Sequence, residues 1–139
     1  MRSILIAFAF VMALLPLGAA AQSEMPRNAE IEATIQGQLN AFLADDFGTA
    51  FTFASPSIKG MFGTAERFGQ MVQQGYPMVW RPGNARYLDL RQEQGQLFQR
   101  VMITDQAGRL FMLDYQMMPE GDDWQINGVQ VLRAPAAGA

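Results

Sequence analysis

The sequence predicts an α+β fold, in which N-terminal helices pack on one face of a curved antiparallel sheet of about four strands. Three observations carry this. Apolar residues recur at helical spacing in the first half of the chain, they recur at alternate positions in the second half, and the links between the alternating segments are short.

The elements follow in order. Residues 22–28 are polar with one proline and read as a flexible leader, after which Asn28 can cap a helix. Ile31, Ile35, Leu39, Phe42 and Leu43 then form one apolar stripe at helical spacing. Asp45 or Asp46 can cap a second, short helix with Phe47, Ala50, Phe51 and Ala54 inward. Ser55-Pro56 ends it, because the residue before proline avoids helical dihedrals. A third helical stretch spans 57–74, broken around Gly60 and Gly63 and recapped by Thr64. Its inner face is Phe68, Met71 and Val72, and Gly75 closes it.

From Tyr76 the period changes from about 3.6 to 2. Segment 76–83 holds two prolines and reads as a connection, at most a sheet edge. Strands are expected at 86–93, 96–104, 110–118 and 124–132, linked by Gln94-Gly95, by 105–108 and by 119–123. Such links join antiparallel neighbours, so the strands form a meander. Gly128 inside the last strand predicts a bulge. Leu39, Leu43, Phe51, Trp124 and Ile126 are expected to share one core. The α+β domain occupies 29–133, and the small residues 134–139 are expected to be a disordered tail.

The first 21 residues read as an export signal. One cation, Arg2, precedes an apolar run from Ile4 to Leu15; Pro16 and Gly18 break it, and Ala19, Ala20 and Ala21 follow. That run is too short for a bilayer, which needs about 20 residues. A single arginine does not fit the twin-arginine route, and the absence of cysteine excludes a lipid-anchored N-terminus. The expected product is a periplasmic or secreted chain of residues 22–139, without a membrane anchor. Losing Arg2 leaves nine cations against thirteen anions, a net charge near −4. That sign and the scatter of the arginines argue against nucleic acid as a partner.

Composition narrows the chemistry further. The chain has no His and no Cys. It can therefore build no Ser-His-Asp or Cys-His nucleophile, no imidazole or thiolate metal site, and no haem ligation by those residues. No glycine-rich phosphate loop is readable. No metal or cofactor is expected, and carboxylate, Tyr, Lys or Arg chemistry is what is left.

Local motifs add a resemblance. Ile35-Gln-Gly-Gln-Leu-Asn-Ala-Phe-Leu-Ala-Asp-Asp46 is followed by Ala50-Phe-Thr-Phe-Ala-Ser-Pro-Ser-Ile58. Further on come Phe68-Gly-Gln-Met-Val72 with Gly75-Tyr76, and finally Trp124-Gln-Ile-Asn-Gly-Val129. With the order of elements, these resemble the nuclear transport factor 2-like (SnoaL-like, cystatin-like) α+β cone. More closely, they resemble the family catalogued as domain of unknown function 4864, over about residues 31–132. The resemblance implies a fold with a cavity at the open end of the cone. It implies no activity, since that superfamily includes isomerases, cyclases, hydratases and non-catalytic binding modules.

The ligand-pocket candidates are Tyr76, Trp80, Phe98, Asp114, Tyr115 and Trp124. A carboxylate raised by an apolar pocket, beside a tyrosine donor, could act as a general base. Asp114 sits in an otherwise apolar strand, but an ion pair with Arg100 is the preferred reading of it. Asp114 and Tyr115 are neighbours in a strand and point to opposite faces, so they cannot both line one pocket. Asp45 and Asp46 read as helix caps. Eight methionines follow the signal; without His or regular Met spacing they are not a copper site. Two functions are therefore expected. The favoured one is a non-catalytic exported module that binds a small apolar molecule or a protein partner. The alternative is a cofactor-free lyase or isomerase using a cavity carboxylate. Strand 110–118 is apolar on both faces, which predicts a homodimer through the outer face of the sheet, or a cover made by segment 76–83.

Overall fold

The computed structural model describes residues 22–132; the expected export signal and the 134–139 tail lie outside them. Five helices precede a meander of four strands. They are α1 (Ala29–Leu43), α2 (Phe47–Thr52), α3 (Pro56–Phe62), α4 (Ala65–Gly75) and α5 (Pro77–Trp80). The strands are β2 (Pro82–Glu93), β3 (Gln96–Asp105), β4 (Leu110–Glu120) and β5 (Asp123–Leu132). A fifth strand, β1 (Gln22–Met25), pairs antiparallel with β2, and the sheet order is β1-β2-β3-β4-β5. The fold is α+β with helices against an open antiparallel sheet, of five strands rather than about four. Among the described residues no helix is long and apolar enough to cross a membrane.

The caps lie where short polar side chains precede apolar periodicity. Asn28 accepts from the Glu30 and Ile31 amides, Asp46 from Thr49, Ser55 from Ile58 and Thr64 from Arg67. Ser55-Pro56 does more than end α2, since Pro56 occupies the first turn of α3 with Ser55 as its cap. Gly60 lies within α3, and only Gly63, at φ +77°, and the cap Thr64 separate α3 from α4. Gly69 is required by close packing: a Cβ there would lie 2.7 Å from the Phe47 ring.

Three expectations are corrected. Segment 22–25 is a strand, not part of a flexible leader, because its backbone pairs with Leu90 to Glu93 at the β2 edge. Segment 76–83 is not a mere connection. It supplies α5 and the start of β2, and it packs with the helices, burying Met78 and Val79, so it does not cover the outer sheet face. Leu43, in the last turn of α1, is exposed, whereas Ile31, Ile35, Leu39 and Phe42 are fully buried.

The core lies between α1, α2, α4, α5 and one sheet face, where Val101, Ile103, Leu113, Tyr115, Met117 and Ile126 are buried. The expected bulge at Gly128 is present: Gln116 faces Gly128 while Met117 faces Ile126, leaving Asn127 as the extra residue. The β5 edge is closed locally by the chain between α2 and α3. Ser55 N–H donates to the Ile126 carbonyl, and Ile126 N–H donates to that of Phe53, both at 2.9 Å.

Candidate functional site

The bulge and the α2–α3 connection together create the best-formed pocket. Its volume is about 260 Å³. Phe42 of α1, Ile58 and Phe62 of α3, Phe68 and Val72 of α4, and Ile126 of β5 form its apolar walls. Met61 and Met71 flank it, and Met61 is 74% exposed, the most exposed of the large apolar side chains among the described residues. Three neutral polar side chains interrupt the wall. Gln38 donates through Nε2 to the Ala50 carbonyl at 3.2 Å. The Tyr76 hydroxyl donates to the Val129 carbonyl at 3.2 Å. Asn127 accepts from Ser55 Oγ at 2.7 Å. Among the described residues, no Asp, Glu, Lys or Arg lines this space.

Of the six pocket candidates, the structure places Tyr76 on this wall and the other five elsewhere. Trp80 lies on α5 outside it and donates through Nε1 to Asp45 at 3.0 Å. Arg81 grips the same carboxylate with two 2.8 Å bonds and stacks 4.0 Å over the Trp80 ring. Asp45 therefore anchors α5 rather than capping a helix, and the Arg81 and Trp80 hydrogen bonds lower its pKa. Trp124 is half-buried at the far end of the sheet, in a second cleft with Met25, Leu97 and Met117. It packs against the core from that end, half-buried, where it was expected to share the core with Leu39 and Ile126.

Phe98, Asp114 and Tyr115 also separate from the pocket. Tyr115 is fully buried in the core, and neither its hydroxyl nor Gln99 Oε1, directly across from it in register, has a hydrogen-bond partner among the described residues. Burial pushes the Tyr115 hydroxyl well above its ordinary pKa.

Asp114 points to the opposite face of the sheet, as strand alternation requires. It is 5% exposed and holds Arg91, which is 4% exposed, in two bonds of 2.9 and 2.5 Å. Arg100, its cross-strand neighbour, adds bonds of 3.2 and 3.3 Å. The expected Arg100 pairing is present, and Arg91 is the dominant partner that the strand pattern did not reveal. Arg91 also bonds Glu93 at 2.9 Å and lies 5.3 Å from the Phe98 ring. Burial raises the Asp114 carboxyl, but the Arg91 and Arg100 hydrogen bonds outweigh this and hold it below the usual carboxylate range. An ionised carboxylate saturated by two guanidinium groups is a structural anchor and has no free lone pair to take a substrate proton.

Comparison with known proteins gives one match. A family model described as "Domain of unknown function (DUF4864)" covers residues 24–139. No curated protein and no solved structure matches the chain.

Proposed function

The chain belongs to the DUF4864 family, whose description assigns no activity, and on that premise we propose, from the pocket itself, a non-catalytic binding module for a small apolar molecule. The observation that carries this is a pocket of about 260 Å³, walled by apolar side chains, whose lining holds no carboxylate and no cation among the described residues. An apolar cavity of about 150 Å³ suffices for benzene and drug-sized sites begin near 300 Å³, so this pocket suits on the order of ten non-hydrogen atoms. The lyase or isomerase reading needs a carboxylate facing this space, and Asp114 faces away from it, tied to Arg91 and Arg100. Isothermal titration with ethylbenzene is expected to give saturable one-site binding, with a dissociation constant on the order of 0.1 mM and a negative heat-capacity change. Met71→Trp, which fills the pocket from its flank, should abolish it without lowering the melting temperature by more than a few degrees. No saturable heat up to the solubility limit of ethylbenzene would sink the reading.

The module is proposed to act outside the cytoplasm, as a homodimer joined through the outer sheet face, within the nuclear transport factor 2-like superfamily. The order of helices before a meander supports the superfamily. The family match begins at residue 24, just past the segment read as a signal, and that supports export. For the dimer, Met102 and Met112 lie side by side on the outer face, beside the Arg91–Asp114 cluster. Intact mass and light scattering on the periplasmic fraction should give a dimer of chains that start near Gln22. A full-length chain contradicts the export proposal, and a monomer contradicts the association.

A further inference from the structure

The polar groups in the pocket wall narrow the ligand class, an inference that rests on the binding reading above. The bulge in β5 takes Asn127 out of strand alternation, so that Ile126, Asn127, Gly128 and Val129 all border the pocket in succession. Ser55, fully buried, then fixes the amide. Its oxygen accepts from the Ile58 N–H at 3.3 Å and its hydroxyl donates to Asn127 Oδ1 at 2.7 Å. With the Asn127 oxygen committed, its two amide N–H groups are the unspent donors, and none of the described residues accepts from them. The Tyr76 proton is already directed to Val129, and Gln38, itself 3% exposed, spends one of its two Nε2 N–H groups on the Ala50 carbonyl, so among the described lining side chains Asn127 alone keeps both amide N–H groups. The pocket thus offers a neutral donor in an apolar wall, and among the described residues no cation to neutralise an anion.

We infer that the pocket receives a neutral molecule with an apolar body and one carbonyl oxygen, taken up by the Asn127 amide N–H, and that it rejects the corresponding carboxylate. A ketone, aldehyde, ester or amide oxygen loses one hydrogen bond to water on entry and recovers it from Asn127. A carboxylate loses its whole hydration and meets no opposite charge.

Three probes of similar shape separate the possibilities: acetophenone, ethylbenzene, which lacks the oxygen, and benzoate, which is charged. In the wild-type protein the infrared carbonyl stretch of bound, isotope-labelled acetophenone is expected below its value in hexane, the sign of a donated hydrogen bond. Asn127→Ala should return the stretch to the hexane value and weaken acetophenone about three- to tenfold, while ethylbenzene changes by less than about twofold. Benzoate should bind at least about tenfold more weakly than acetophenone. A hexane-like stretch in the wild type, equal losses for acetophenone and ethylbenzene in the variant, or benzoate binding as well as acetophenone would each overturn the inference. Should Asn127→Ala fail to fold, having stripped Ser55 of its partner, the wild-type spectrum and the benzoate comparison decide the matter. Ethylbenzene binding beside a hexane-like stretch removes this inference alone; failure of all three probes removes the binding reading as well.

Discussion

Asp114→Asn is expected to destabilise the protein by about 3 kcal/mol at pH 7, because it strands Arg91 as a buried guanidinium. Breaking one side of a buried ion pair costs about 3–5 kcal/mol, mostly through the uncompensated charge that is left. The lower end applies here, since Arg91 keeps Glu93 at 2.9 Å. Replacing both partners, as Arg91→Leu with Asp114→Leu, should recover most of the loss, since an apolar pair of similar volume is often neutral. The pH dependence follows from the lowered carboxyl. A group whose folded pKa lies below its unfolded value, about 3.9 for Asp, contributes stability that is present above that value and lost as pH falls through the folded one. Denaturant midpoints of the wild type should therefore fall below about pH 4, and the gap to Asp114→Asn should narrow there. A constant gap from pH 7 to pH 3 would show that the ion pair is not what the substitution removes.

Phe42→Ala is expected to cost about 3–5 kcal/mol, as truncations of buried aromatics do. Phe42 is fully buried where α1, α2 and α4 meet, with ring centroids 6.3 Å from Phe47 and 5.8 Å from Phe68. It also walls the pocket, so the truncation enlarges that space as well as weakening the core. Anthracene, a full ring larger than the ligands of about ten non-hydrogen atoms that suit the wild-type pocket, should then raise the melting temperature of the variant more than that of the wild type, by mass action on the folded state. A variant that melts within about two degrees of wild type, or that gains nothing from anthracene, would place Phe42 outside both core and pocket.

Much of this fold was legible in the sequence for physical reasons that particular residues make plain. The α1 stripe from Ile31 to Phe42 and the alternation through Val101 and Ile103 are one-dimensional records of a buried face. Caps such as Asn28 and Thr64 are local chemistry. Strand β1 was not legible, because Ser23, Glu24 and Met25 stay exposed and only their backbone pairs. The site was less legible still. Tyr76 was the one pocket residue singled out, for its hydroxyl donor and its aromatic ring. Gln38 looked like an ordinary polar helix position, and strand alternation alone would turn Asn127 away from the helices. The bulge signalled by Gly128 was the available clue, but nothing local said which side chain it would re-aim, or that Ser55 would meet it 72 residues along the chain. Trp124 and Phe98 misled because aromatic size suggests burial, whereas sheet edges and outer faces also use large rings to cover backbone and guanidinium groups.

The space between α1, α3, α4 and β5 is expected to accept an apolar ligand. Methyl NMR of methionine-labelled protein tests it most directly, since Met61 and Met71 flank the pocket while Met102 and Met112 sit on the opposite sheet face. Titration with ethylbenzene is expected to move the Met61 and Met71 resonances along one saturable curve and to leave Met102 and Met112 in place. Unmoved Met61 and Met71 signals, or shifts confined to Met102 and Met112, would contradict it.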